Sequence, residues 1–229
     1  MSRPGVPPAA VAAAWQCSSL LLDYPGEELA DRLGLVDEVA RRLPARVRDP
    51  LCETIGRLSA LPLRSAQEEY VATFDARRRC SLFLTYFLYG DTRKRGAALL
   101  RFTQAYLRAG YRLDRTELPD HLAVVLEYGA AVDPEHARTL LTEHRAGIEV
   151  LRIALRDLAS PWAGAVAAVS ATLPPLRGDE REVVRRLAAE GPPDEEVGLS
   201  PYDGSAFDPL LTERTATVDL PHPTVPGAR

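Results

Sequence analysis

The chain has 229 residues, 46% hydrophobic and 26% charged, with a net charge of −4. That is a globular composition on a chain long enough to bury a real core. No uncharged apolar run reaches the roughly 18 residues of a membrane span, and a weakly acidic chain is not a generic nucleic-acid binder. The cysteines Cys17, Cys52 and Cys80 form no C-x-x-C pair, and the four histidines are dispersed. A disulfide scaffold and a thiolate metal site are therefore disfavoured, and neither a metal nor a cofactor is expected. The profile is that of a reduced, cytoplasmic protein. Lys94 is the only lysine among 28 basic residues, which reads as a genomic preference for arginine.

Helix signals recur along the chain, and no convincing period-two strand pattern interrupts them. The uncharged stretch Ala9 to Leu22 has only Arg3 before it and prolines at its entry, so it reads as a buried first helix, about Pro8 to Leu22, rather than a signal-peptide core. Asp23-Tyr24-Pro25-Gly26 forces a turn. Helices are expected over 27–43 and from 45 or 47 to 61. Ser65-Ala66-Gln67-Glu68 has the form of a capping box opening a helix that ends at Asp75. Cys80 to Tyr89 is almost wholly apolar and reads as a helix in mid-core. Asp91 is placed to cap the next, which closes at Gly110. A loop, 111–118, leads to a helix opened by Pro119-Asp120. Asp133-Pro134 begins one long helix to about Leu158. Ser160-Pro161 begins another, and Asp179 to Glu190 is the last. The 39 residues from Gly191 onward hold seven of the 19 prolines and read as a loosely ordered tail, with Tyr202 and Phe207 available to drape over the body. The expected architecture is a single all-α bundle of about eight to ten helices over 1–190, followed by the Pro-rich tail 191–229.

No G-x-G-x-x-G, Walker A, G-x-S-x-G or H-E-x-x-H motif is present, which lowers the expectation of an enzyme. His136 and His144 are too far apart to share a metal directly. The most unusual stretch is Glu117-Leu118-Pro119-Asp120-His121-Leu122. Asp120 suits a helix N-cap, and the helix dipole disfavours protonation of His121. Capping chemistry with a surface histidine is the simpler reading. A recognition corner and an acid-base dyad of Asp120 and His121 are the functional ones. Asp75 ends a helix where the dipole disfavours an acid, and Arg93, Lys94 and Arg95 begin one where it disfavours cations. Such misplacement suggests that Asp75 pairs with Arg93 or Arg95. A phosphate-binding reading of the Gly90–Arg93 segment is weaker, because Asp91 would repel the anion.

Several segments taken in order resemble a known family. They are Leu22-Asp23-Tyr24-Pro25, Tyr70 with Phe74-Asp75, Ser81-Leu82, Gly90-Asp91-x-Arg93-x-Arg95-Gly96, Tyr106-x-x-x-Gly110, Glu117 to Leu122 and Leu126-Glu127-Tyr128. Together they are similar to the NarJ-type nitrate reductase assembly chaperones of the broader TorD/DmsD group. The likeness covers about residues 17–130. It implies an all-helical TorD-like fold and no catalysis. It also implies a partner, the N-terminal segment of the catalytic (alpha) subunit of respiratory nitrate reductase, held until molybdenum cofactor insertion and membrane assembly. No nucleic acid and no stable membrane insertion are expected, and both a monomer and a domain-swapped dimer are allowed. The residues expected to border the peptide groove are Asp23, Tyr24, Tyr70, Phe74, Asp75, Arg93, Arg95, Glu117, Pro119, Asp120, His121, Leu122 and Glu127. A small helical enzyme built on Asp120 and His121, or a generic helical adaptor, are the alternatives.

Overall fold

A computed structural model describes residues 6–113 and 117–193. These residues belong to one unit, residues 1–195, and the remainder of the proposed tail lies outside the described part. Eleven α-helices are found among the described residues: α1 Pro8–Leu22, α2 Leu29–Ala40, α3 Ala45–Ser59, α4 Leu63–Tyr70, α5 Tyr86–Tyr89, α6 Arg93–Arg108, α7 Leu122–Ala131, α8 Pro134–Glu143, α9 Arg145–Asp157, α10 Ala163–Thr172 and α11 Gly178–Glu190. No strand occurs among them, only one isolated antiparallel bridge between Phe83 and His121. The all-α expectation is met.

Helix α1 is the central post. Pro8 at its first turn lacks the donor that a helix start leaves idle, and alanines follow. Trp15 is fully buried and donates its indole N–H to Thr172 Oγ1 at 2.9 Å. Ser18 and Ser19 donate to the carbonyls of Ala165 and Ala123, at 3.2 and 2.8 Å. These buried hydroxyls tie α1 to α10 and α7 while satisfying their own polarity. Helix α10 lies against α3 at near-backbone contact. A Cβ on Gly164 would sit 2.0 Å from the Pro50 carbonyl oxygen. The Thr54 hydroxyl accepts the Ala165 N–H there at 3.0 Å.

Several local expectations are corrected. Helix α4 opens at Leu63 after Pro62, and Ser65 lies inside its first turn, because the Pro62 carbonyl already accepts the Ala66 N–H. Glu68 is engaged by Arg64 one turn before it. The helix then widens into a π turn over Val71–Asp75, closed by Ala76 N–H to Val71 O. Cys80 to Tyr89 is not one helix. A 3₁₀ turn, Arg78–Cys80, leads into extended residues, and only Tyr86–Tyr89 turns helically. The apolar residues are buried as expected, but hydrogen bonds to the 118–122 corner take the place of helical ones. Thr92 rather than Asp91 occupies the α6 N-cap position, and Asp91 pairs with Arg95. The helix expected over 133–158 breaks at His144, whose Nδ1 lies 2.8 Å from the Leu140 carbonyl that its own N–H also contacts. Asp133 does cap α8, accepting the His136 N–H.

The close approach of α10 to α3 sets a test. Gly164→Ala should lose about 1–3 kcal/mol in urea denaturation, through overpacking against rigid backbone. Gly56→Ala, at a helix position with open space above it, should gain about 0.5–1 kcal/mol.

Candidate functional site

The loop after α1 is built first. The Tyr70 hydroxyl, carried by α4, donates to the Leu22 carbonyl at 3.0 Å. Gln67 donates to the Pro25 carbonyl at 3.0 Å. Arg32 of α2 donates to the carbonyls of Leu20 and Tyr24 and approaches Asp23 at 3.3 Å. Tyr24 packs edge-on against Tyr70, with centroids 5.4 Å apart, and Tyr70 continues into Phe74 and Trp162. Asp23 and Tyr24 are thus held outward on a braced turn.

The facing corner is built around Asp120, whose side chain has no exposure to water. Its Oδ2 accepts the Thr85 N–H at 3.1 Å and a short bond from the Thr85 hydroxyl. Arg95 lies 3.8 Å away, an ion pair without a hydrogen bond. The Asp120 carbonyl accepts the Leu84 N–H, and the Leu82 carbonyl accepts the Leu122 N–H. The Tyr106 hydroxyl donates to the Pro119 carbonyl at 2.6 Å. Arg95 also lies over the rings of Phe83 and Tyr86, at 5.3 and 5.7 Å. The outcome is a corner that turns His121 and Phe83 outward side by side, 5.3 Å between rings.

Between loop and corner runs a cleft of about 510 Å³. Leu20, Tyr24, Tyr70, Phe83, Leu118 and Val124 give it apolar and aromatic walls, and Asp23, Glu117 and Glu127 give it carboxylates. Among the described residues no lysine or arginine lines it. Burial pushes the His121 imidazole below its ordinary value, opposed by the charges of Asp120 and Asp23, so it does not supply a cation near pH 7. The Tyr70 phenol is raised by burial and serves as a donor. The arrangement can grip an apolar, positively charged chain.

Of the residues expected at the groove, Asp23, Tyr24, Tyr70, Glu117, His121 and Glu127 meet in this cleft. Phe74, Pro119, Asp120 and Leu122 are buried beneath or beside it. Arg95 acts behind it, through Asp120. Asp75 and Arg93 are exposed elsewhere. The expected pairing of Asp75 with Arg95 is not formed, because Asp91 one turn earlier and Asp120 take that guanidinium. Asp120 does not cap α7; His121 holds the N-cap position. No hydrogen bond joins the Asp120 carboxylate to the His121 ring, so the proposed dyad is not assembled. Phe83, Leu20 and Val124 were missed as lining residues. Their apolar character alone gave no signal that distinguished a wall from the core. No group of acids, cysteines and histidines among the described residues could hold a metal ion.

The fold and the cleft define a helical protein with a peptide-sized acidic groove. A solved structure, a putative redox enzyme maturation protein from Archaeoglobus fulgidus, shares the fold, with a TM-score of 0.51 and 22% identity over 69% of this chain and 91% of that one. The profile of the nitrate reductase delta subunit family matches residues 40–168. The chain belongs to that family. It is 42% identical over 69% of its length to the nitrate reductase-like protein NarX of Mycobacterium tuberculosis, and spans only 24% of that relative. It is 32% identical to the probable nitrate reductase molybdenum cofactor assembly chaperone NarJ of Bacillus subtilis, over 58% of this chain and 73% of that one. The corresponding NarJ of Escherichia coli is 32% identical over 52% of each.

Two outcomes are expected of the corner. Asp120→Ala, which strands the Thr85 N–H and hydroxyl and takes one of two counter-charges from Arg95, should cost about 3 kcal/mol or more in urea denaturation, and Asp120→Asn less. Burial lowers both His121 and His144 from the ordinary 6.5. Below that pH the unfolded chain binds protons that the folded one refuses, so stability should fall as pH drops from about 6.5 towards 5. His121→Gln should flatten that decline, read as the urea midpoint at each pH.

Proposed function

We propose that this chain is a dedicated chaperone for a respiratory nitrate reductase. It binds the N-terminal segment of the catalytic (alpha) subunit and holds the apo-enzyme for molybdenum cofactor insertion and membrane assembly. The observation that carries this reading is the cleft itself. Apolar and aromatic walls with three carboxylates, and no lining cation among the described residues, suit the apolar face of an amphipathic, basic helix. Opposite charge sets the orientation and speeds encounter, while the apolar wall supplies affinity. The names borne by the Bacillus and Escherichia relatives support a nitrate reductase as the client and molybdenum cofactor assembly as the task. No reaction is assigned to the chain, in line with the assembly-chaperone names of these relatives. No described helix is long and apolar enough to cross a membrane. A generic adaptor would share the cleft and differ in its partner.

Titration with a peptide copying the N-terminus of the nitrate reductase catalytic subunit should show binding at tens of micromolar or tighter, about −6 kcal/mol or better. Glu117→Gln with Glu127→Gln should weaken it roughly five- to tenfold and reduce its sensitivity to salt. Absence of binding by the native chain at those concentrations would overturn the assignment.

A further inference from the structure

Helix α6 presents an exposed face of distinct character. Its inward face, Ala98, Phe102, Ala105 and Tyr106, packs on the body. Its outward face repeats a three-four-three spacing through Ala97, Leu100, Gln104 and Leu107, all exposed. Leu100 and Leu107 are 61% and 59% accessible, the two most exposed leucines on the helix. That spacing is the a/d seam by which one helix receives another, and a central polar residue such as Gln104 is tolerated within such a seam. The charge is equally one-sided. Arg93–Arg108 holds five cations and no acid, in a chain whose net charge is −4. Lys94 and Arg108 are exposed near the two ends of the helix, and Arg101 is shared with Glu143 of α8.

We propose that the outward face of α6 docks an acidic amphipathic helix of a partner protein. The 16 residues of α6 run about 24 Å, enough for four turns of a partner helix. Leucine-type side chains would seat on Ala97, Leu100 and Leu107, and flanking glutamates or aspartates would meet Lys94 and Arg108. A second copy of this chain is a poor occupant, because two α6 faces set together would oppose cation to cation. A lipid surface is poorer too, since only two leucines project and Gln104 lies between them. No α6 residue lines the acidic cleft, so the two surfaces call for partners of opposite charge.

The test is fluorescence anisotropy with the full chain and a synthetic helical peptide bearing leucines at three-four spacing flanked by glutamates. A peptide with lysines in place of the glutamates and a scrambled acidic peptide are the controls. The acidic helix should bind, at least tenfold tighter than either control. Leu100→Ser with Leu107→Ser should lower that affinity at least tenfold while leaving the circular dichroism melt unchanged. Lys94→Glu with Arg108→Glu should reverse the preference towards the lysine peptide. Equal binding of all three peptides, or indifference to both double variants, overturns the proposal. So does Leu100-dependent dimerisation in sedimentation, which would assign the face to a second copy. Retention on anionic vesicles without peptide binding would assign it to lipid and overturn it equally.

Discussion

The Asp120 carboxylate is sealed from water, and a buried carboxylate has to be hydrogen-bonded or it destabilises the fold around it. Its partners come from two distant stretches: Thr85, through backbone and hydroxyl, and Arg95 from α6. Engaging the one oxygen Oδ2 therefore fixes where residues 82–85, the start of α6 and the entry to α7 lie relative to one another. The neighbouring backbone bonds from Leu84 and Leu122, and the Tyr106 hydroxyl on Pro119, follow from that placement. The apolar segment Cys80 to Tyr89 is kept from forming one helix because the Leu84 and Thr85 donors are spent on this corner.

The cleft depends on that constraint and on a matching one across from it. Asp120 looks inward, so the adjacent His121 and Glu117 face outward. Tyr70, Gln67 and Arg32 brace the turn after α1 in the same way, fixing Asp23 and Tyr24 from behind. The walls combine these two turns with residues of α1, α4 and α7, and the turns are anchored by side chains from packed helices. Loops positioned by a rigid scaffold are where binding surfaces are generally found. Two cleft-lining residues also hold the fold: Tyr70 bonds Leu22 with its hydroxyl while its ring faces the cleft, and Ser19 bonds the Ala123 carbonyl of α7.

The α6 helix adds a contrast. The acidic cleft and the cationic seam share one small chain of modest net charge, so net charge described neither surface. It averaged over a segregation visible only when residues are placed on faces. Arg95 at the start of α6, where the helix dipole disfavours a cation, does meet acids, but Asp75 is not one of them. Asp91 lies one helical turn before Arg95, and Asp120 is brought close only by the fold.

Helical class, most helix positions, the turn at Asp23 to Gly26 and the importance of Glu117 to Leu122 were legible in the amino-acid order. They rest on local physics: periodicity, proline and glycine constraints, and capping types. The cleft was legible in part, through Asp23, Tyr24, Tyr70, Glu117, His121 and Glu127, because a family resemblance carried information that spacing lacks. Tertiary structure decided the rest. It decided that Asp120 is a buried anchor rather than a cap, that Phe83 is a wall rather than core, and that the apolar run 80–89 is mostly not helical. Each of these turns on a contact between residues 35 or more positions apart, and no local preference encodes which distant donor a carboxylate will meet.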